Sequence, residues 1–133
     1  MVIDTMIIAY ALLHEKEFGE VALNVINQAD SIIAPDIIRP EIANVIWQWT
    51  QWVNLPLEKG LEILEDAELL ISEIIPSNHL WYHALELSTE KNHPVYDTLY
   101  VALARLRNTK VISNDKKLKS KFPMDVLMLD EWN

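Results

Sequence analysis

The chain has 133 residues, half of them hydrophobic, with two glycines, no cysteine and a formal net charge of −9. This length predicts a single domain, residues 1–133, with enough apolar material for a real core. The absence of cysteine excludes disulfides, thiolate nucleophiles and Cys-ligated zinc and fits a reducing compartment, and so few glycines exclude Gly-rich phosphate loops and dinucleotide fingerprints.

Val2-Ile3 reads as a short buried strand ending at Asp4, because an unpaired acid has no place inside one. Thr5 then opens a helix over residues 6–13. That apolar run is far too short to span a bilayer, and no basic residue precedes Lys16. The expectation is therefore a cytoplasmic protein with no membrane partner. A second helical stretch carries Val21, Leu23, Val25 and Ile26 and ends near Ala29. Residues 31–34 form a second strand, closed by Pro35.

Asp36 is placed to cap the next helix, whose inner face takes Ile38, Ile42, Val45, Ile46, Trp49 and Val53. Pro40 is tolerable only in a first turn, so Glu41 lies in that turn too. After Asn54-Leu55-Pro56 the pattern resumes with Leu57, Leu61, Leu64 and Ala67, giving a helical hairpin. A third strand spans residues 71–75 and ends at Pro76. Ser77 or Asn78 caps another helix, with Leu80, Ala84 and Leu87 inward. Asn92-His93-Pro94 is a turn. Residues 95–107 form a strong helix with Tyr96, Leu99, Tyr100, Leu103 and Leu106 on one face. Strands follow at Val111-Ile112-Ser113 and at residues 126–129. Strands alternating with helices predict an α/β fold of three layers, doubly wound, with a central parallel five-stranded sheet flanked by helices. No repeat, linker or low-complexity segment interrupts it.

Four acids stand out. Asp4 and Asp115 follow strands, where open α/β sheets hold ligands; Glu41 and Asp97 sit in first turns of helices, beside apolar residues that must be buried. Singly, each is explained by helix capping and the helix dipole. Jointly they are harder to explain, since two carboxylates ~4 Å apart repel by about 4 kcal/mol at an effective dielectric of 20. Either some protonate or a divalent cation lies between them. Hard oxygen ligands without cysteine or patterned histidine point to Mg²⁺ or Mn²⁺. His14, His79, His83 and His93 show no metal-site spacing with one another.

VIDTMIIAYALL, PEIANVIW, HPVYDTLYVALA and VISNDKKL resemble, in order and spacing, the four acidic motifs of the PIN-domain nucleases, and among them the VapC-type toxins of toxin–antitoxin pairs. YDTLYVALA and SND are the most specific pieces. The resemblance implies a Mg²⁺- or Mn²⁺-dependent endoribonuclease with Asp4, Glu41, Asp97 and Asp115 around the metal, Thr5 and Ser113 supporting them, and a 5′-phosphate left on the product. Asp4, Asp97 and Asp115 would hold the ion, and Glu41 would ligate through water or position the attacking water. It also implies a homodimer and an antitoxin partner. Where the family often carries a further acid, two residues after Asp115, this chain has Lys117.

The net charge argues against a nucleic-acid partner, but residues 105–121 carry seven cations and one acid. Arg105, Arg107, Lys116 and Lys119 are therefore candidates for contacting RNA phosphates. Trp47 and Trp52 lie off the inner face of their helix and suggest a protein interface. A catalytically silent PIN-like interaction module and a structure-specific DNA nuclease are the competing readings. A phosphoacceptor receiver domain is excluded, because the third strand ends at Ile75-Pro76 and Asp130, not lysine, follows the fifth.

Overall fold

The computed structural model describes residues 1–132. The elements run β1 (Val2–Ile3), α1 (Thr5–Leu12), α2 (Gly19–Gln28), β2 (Ile33–Pro35), α3 (Ile38–Trp52), α4 (Leu57–Leu70), β3 (Glu73–Ile75), α5 (Trp81–Lys91), α6 (Val95–Leu106), β4 (Val111–Ser113), α7 (Lys116–Lys121) and β5 (Val126–Met128). Short 3-10 turns occupy Ser77–His79 and Leu129–Glu131.

All five strands join one parallel sheet in the order β3-β2-β1-β4-β5, as the alternation of strands and helices predicts. Their apolar runs do not alternate with polar residues because both faces are covered. Val2, Ile3, Val111 and Ile112 are at most 2% exposed. Right-handed crossovers put α1–α4 on one face and α5–α7 on the other. Accordingly α1 packs on α2, α3 and α4, while α6 packs on α5 and lies along β1, β2 and β4. The chain winds outward in one direction through β2 and β3 and in the other through β4 and β5. The order therefore reverses between β1 and β4, and the crevice beyond their carboxyl ends is the switch point. Asp4 leaves β1 there, and Asn114 and Asp115 leave β4.

Some local expectations change. Pro35 is the last residue of β2, in register with Ile75, rather than the residue that closes it. Asp36 does not cap α3. Its Oδ2 instead accepts the Ser77 N–H at 3.0 Å, because the end of β3 runs alongside, and α3 opens on Ile37 without a side-chain cap. The inner face predicted for α6 is too narrow at its centre and too long at its ends. Every residue from 98 to 104 is buried, since the helix lies between the sheet and α5, whereas Tyr96 and Leu106 overhang the sheet and are exposed. Val53 follows the end of α3 and is exposed, Trp49 is half-buried, and Trp47 and Trp52 are exposed as predicted. No helix among the described residues is long and apolar enough to cross a membrane.

Candidate metal centre

The four acids arrive from four elements. Asp4 is the N-cap of α1, where its Oδ1 accepts the Ile7 N–H at 3.2 Å. Asp115 is the N-cap of α7 and takes the Lys117 and Leu118 N–H groups on Oδ1, at 2.8 and 3.1 Å. The ordinary capping role and a role in the cleft are thus compatible: among the described residues the caps use one carboxylate oxygen of Asp115 and leave the other. Glu41 lies in the first turn of α3 and Asp97 in the first turn of α6. All four line one cleft of about 310 Å³ at the switch point, with Thr5, Met6, Tyr10, Tyr100, Asn114 and Leu118. No lysine or arginine among the described residues lines it.

Glu41 is held by two hydroxyls. Thr5 Oγ1 donates to Glu41 Oε1 at 3.0 Å and the Tyr100 hydroxyl donates to the same oxygen at 2.7 Å. The two hydroxyl oxygens are 2.9 Å apart. Tyr100 is three residues beyond Asp97 and so projects from the same side of α6. In the sequence Tyr100 falls on the apolar face of its helix and reads only as core, so its contact with Glu41 is not legible there. Ser113, fully buried at the end of β4, accepts the Asp115 N–H at 3.0 Å on its Oγ.

His93 is the second residue missed. Its Nε2 lies 2.8 Å from Asp97 Oδ2, and its side chain is 5% exposed. One ligand atom each from His93, Asp97 and Asp115 lies within 4.8 Å of the other two. Asp4 and Glu41 stand in the same cleft outside that trio. The histidines indeed have no pattern among themselves. The available signal was the four-residue step from His93 to Asp97 across Pro94, which places a ring over the first turn of a helix.

Electrostatics mark the cleft. Burial pushes Asp4 up to about 7, against the Ser113 hydroxyl and the Ile7 N–H, with the charges of Asp115 and Glu41 adding to the rise. Glu41 is raised as well, first by burial and then by the charge of Asp97, and is partly restored by the Tyr100 and Thr5 hydroxyls. The Tyr100 phenol is held well above its ordinary range, by burial first and by the neighbouring Glu41 charge. Acids raised by burial and by each other form a donor set that fits a divalent cation, whose charge removes the repulsion. Hard carboxylate oxygens suit Mg²⁺ or Mn²⁺.

The cations proposed to bind substrate divide. Arg105 and Arg107 do not reach the cleft. Asp97 opens α6 at the carboxyl edge of the sheet, and eight residues on, about 12 Å along the axis, Arg105 has arrived at the amino edge. There it pairs with Asp125 at 2.8 Å, and Arg107 pairs with Glu73 at 2.8 Å. Lys119 is tied to the Val126 carbonyl at 2.8 Å and to Glu131 at 3.1 Å. Lys116 alone of the four is exposed next to the cleft, beside Asn114, with no ion pair among the described residues.

The PIN domain family profile matches residues 1–121. Ribonuclease VapC3 of Pyrobaculum aerophilum is 28% identical over 125 residues, which are 92% of this chain and 95% of that protein. Among solved structures, a toxin–antitoxin complex from Klebsiella pneumoniae superposes with a TM-score of 0.70 at 15% identity, covering 96% of each chain. VapBC2 from Rickettsia felis, bound to a DNA fragment from its promoter, superposes with a TM-score of 0.66 at 16% identity, covering 99% of this chain and 98% of that one.

Proposed function

This chain belongs to the PIN domain family, and from that premise we propose that it is a divalent-metal-dependent endoribonuclease, the toxin of a toxin–antitoxin pair. The observation that carries the reading is the cleft itself: four carboxylates from distant parts of the chain line it, and no lysine or arginine among the described residues does. The similarity to a ribonuclease across nearly the whole of both chains supports the choice of RNA.

In this reading Asp4, Asp97 and Asp115 hold the cation, which when bound neutralises the acids and acidifies water for attack on a phosphodiester. Glu41 either binds the ion through water or orients the attacking water. Thr5 and Tyr100 both bond Oε1 of Glu41, which fixes the carboxylate and leaves Oε2 to accept a proton. Ser113 supports Asp4 and the turn that carries Asp115. Lys116 neutralises a substrate phosphate. Tyr96, exposed beside Asp97 in a groove with Ile37, Pro40 and Asn44, offers a ring on which a base stacks.

Two apolar surfaces fit the proposed partners. The groove between α3 and α4, lined by Ala43, Ile46, Trp47, Leu57, Leu61 and Leu64, suits an apolar antitoxin segment. On the other layer Trp81, Tyr82, Leu85 and Leu106 are each exposed and offer apolar surface to a second copy of the chain. The test of the enzymatic reading is cleavage of labelled RNA. Activity that needs Mg²⁺ or Mn²⁺, stops in excess EDTA and is lost in a folded D97N variant supports it. No cleavage by the wild-type chain with either ion would make this an interaction module.

A further inference from the structure

We propose that His93 is itself a ligand of the metal, so that the centre is a mixed nitrogen–oxygen site that favours Mn²⁺ over Mg²⁺. The inference rests on the metal-dependent reading above and adds to its acidic set a residue of different chemistry.

Three observations carry it. First, the ring is buried where a surface histidine would be free to turn: its side chain is 5% exposed, and it stands edge-on to Phe122, with centroids 6.3 Å apart and planes at 86°. Second, the turn that bears it is fixed. Asn92 closes α5 in the left-handed conformation at φ 53°, the His93 N–H donates to the Ser88 carbonyl at 3.2 Å, and Pro94 then starts α6. The backbone thus fixes where the side chain starts, and burial against Phe122 limits where the ring can turn. Third, the ring has two acids within reach, not one. Asp97 Oδ2 is 2.8 Å away, and a carboxylate oxygen of Asp115, from the other side of the switch point, completes a trio within 4.8 Å.

A hydrogen bond that merely orients Asp97 would account for the pair but not for Asp115. Neighbouring ligands on a six-coordinate ion with bonds of about 2.1 Å are about 3 Å apart. The observed separation of Nε2 and Oδ2 is therefore already close to that of adjacent ligands, and only the imidazole proton must sit on Nδ1 for Nε2 to bind. Imidazole nitrogen suits Mn²⁺ and the later divalent metals better than Mg²⁺, which prefers oxygen and retains water. The preference for Mn²⁺ follows from this one residue.

The experiment is pulsed EPR on the full chain loaded with Mn²⁺, read for nitrogen hyperfine coupling, with Mn²⁺ and Mg²⁺ affinities measured by calorimetry. The other histidines, His14, His79 and His83, are all exposed. The triple variant H14Q/H79Q/H83Q should therefore fold and leave His93 as the one imidazole. The expected result is nitrogen coupling in the wild type that persists in the triple variant and disappears in H93Q. H93Q should also bind Mn²⁺ more than about tenfold more weakly, with a smaller loss for Mg²⁺. Mn²⁺ bound in the cleft without nitrogen coupling, or coupling lost in the triple variant, would overturn the proposal and leave the acidic site standing. A wild-type chain that binds no Mn²⁺ would overturn the proposal and the metal-dependent reading together.

Discussion

The two edges of the sheet treat their acids in opposite ways. At the amino edge two acids have internal cations: Arg107 holds Glu73 below its ordinary range by a direct hydrogen bond, and Arg105 grips Asp125 through two nitrogens. At the carboxyl edge the acids are gathered into a cleft with hydroxyls, backbone N–H groups and one histidine, and Asp4 and Glu41 are raised. A chain with a basic run had cations to spare and placed the arginines at the other edge. An edge that is neutralised from within is structural. An edge that concentrates acids against burial and repulsion fits a cation from outside.

The sharpest way to break this contrast is to remove charge from the carboxyl edge. D97N or D115N should lower RNA cleavage by about a thousandfold or more, the loss expected when several kcal/mol of transition-state stabilisation goes. Circular dichroism should stay unchanged, because amides keep the shape of the acids. Next in size is a pH effect on stability. Asp4 holds its proton in the folded chain up to about 7 but releases it near the ordinary carboxylate range when unfolded. Between those limits the folded state binds more protons, so Asp4 favours folding fully below pH 4 and loses this contribution as the pH rises to 7. In EDTA, the urea midpoint of the wild type relative to D4N should therefore fall from pH 5 to pH 7.5, by of order 2 kcal/mol in stability. Added Mn²⁺ should flatten the difference.

A smaller effect comes from Y100F, which removes one of the two donors to Glu41 Oε1. It should cut kcat about tenfold or less, the worth of about 1 kcal/mol for a lost hydrogen bond to a charged group shared with Thr5. Least of all, R107A should leave cleavage unchanged and move Tm by no more than about 2 °C, since Arg107 and Glu73 meet at an exposed edge. A large activity loss in R107A would erase the distinction between the edges.

The parts of this arrangement that local chemistry dictates were readable in the sequence. Each of Asp4 and Asp115 directly follows or nearly follows a short apolar strand, and strands of one parallel sheet end on the same side, so the meeting of these acids follows from topology. Asp97 and Glu41 were readable because first-turn acids keep their place at the start of a helix. Arg105 and Arg107 were misplaced because proximity in sequence to Asp115 hides the length of α6, which carries them across the sheet. Tyr100 looked like core, and it is buried at 3% exposure, but its hydroxyl reaches Glu41 from 59 residues away. Asp36 was assigned to the nearest helix start and instead bonds Ser77, 41 residues on. These misses share a cause: periodicity reports which face a residue takes, not which distant atom its polar end will find.

The proposed function stands on a cation shared by the carboxyl-edge acids. Anomalous diffraction from a crystal of the chain loaded with Mn²⁺ tests it most directly. The expected result is a peak in the cleft within about 2.5 Å of carboxylate oxygens from Asp97 and Asp115, with Asp4 turned toward it. A fully soaked crystal with no peak there, or with its strongest peak on another surface, would contradict it.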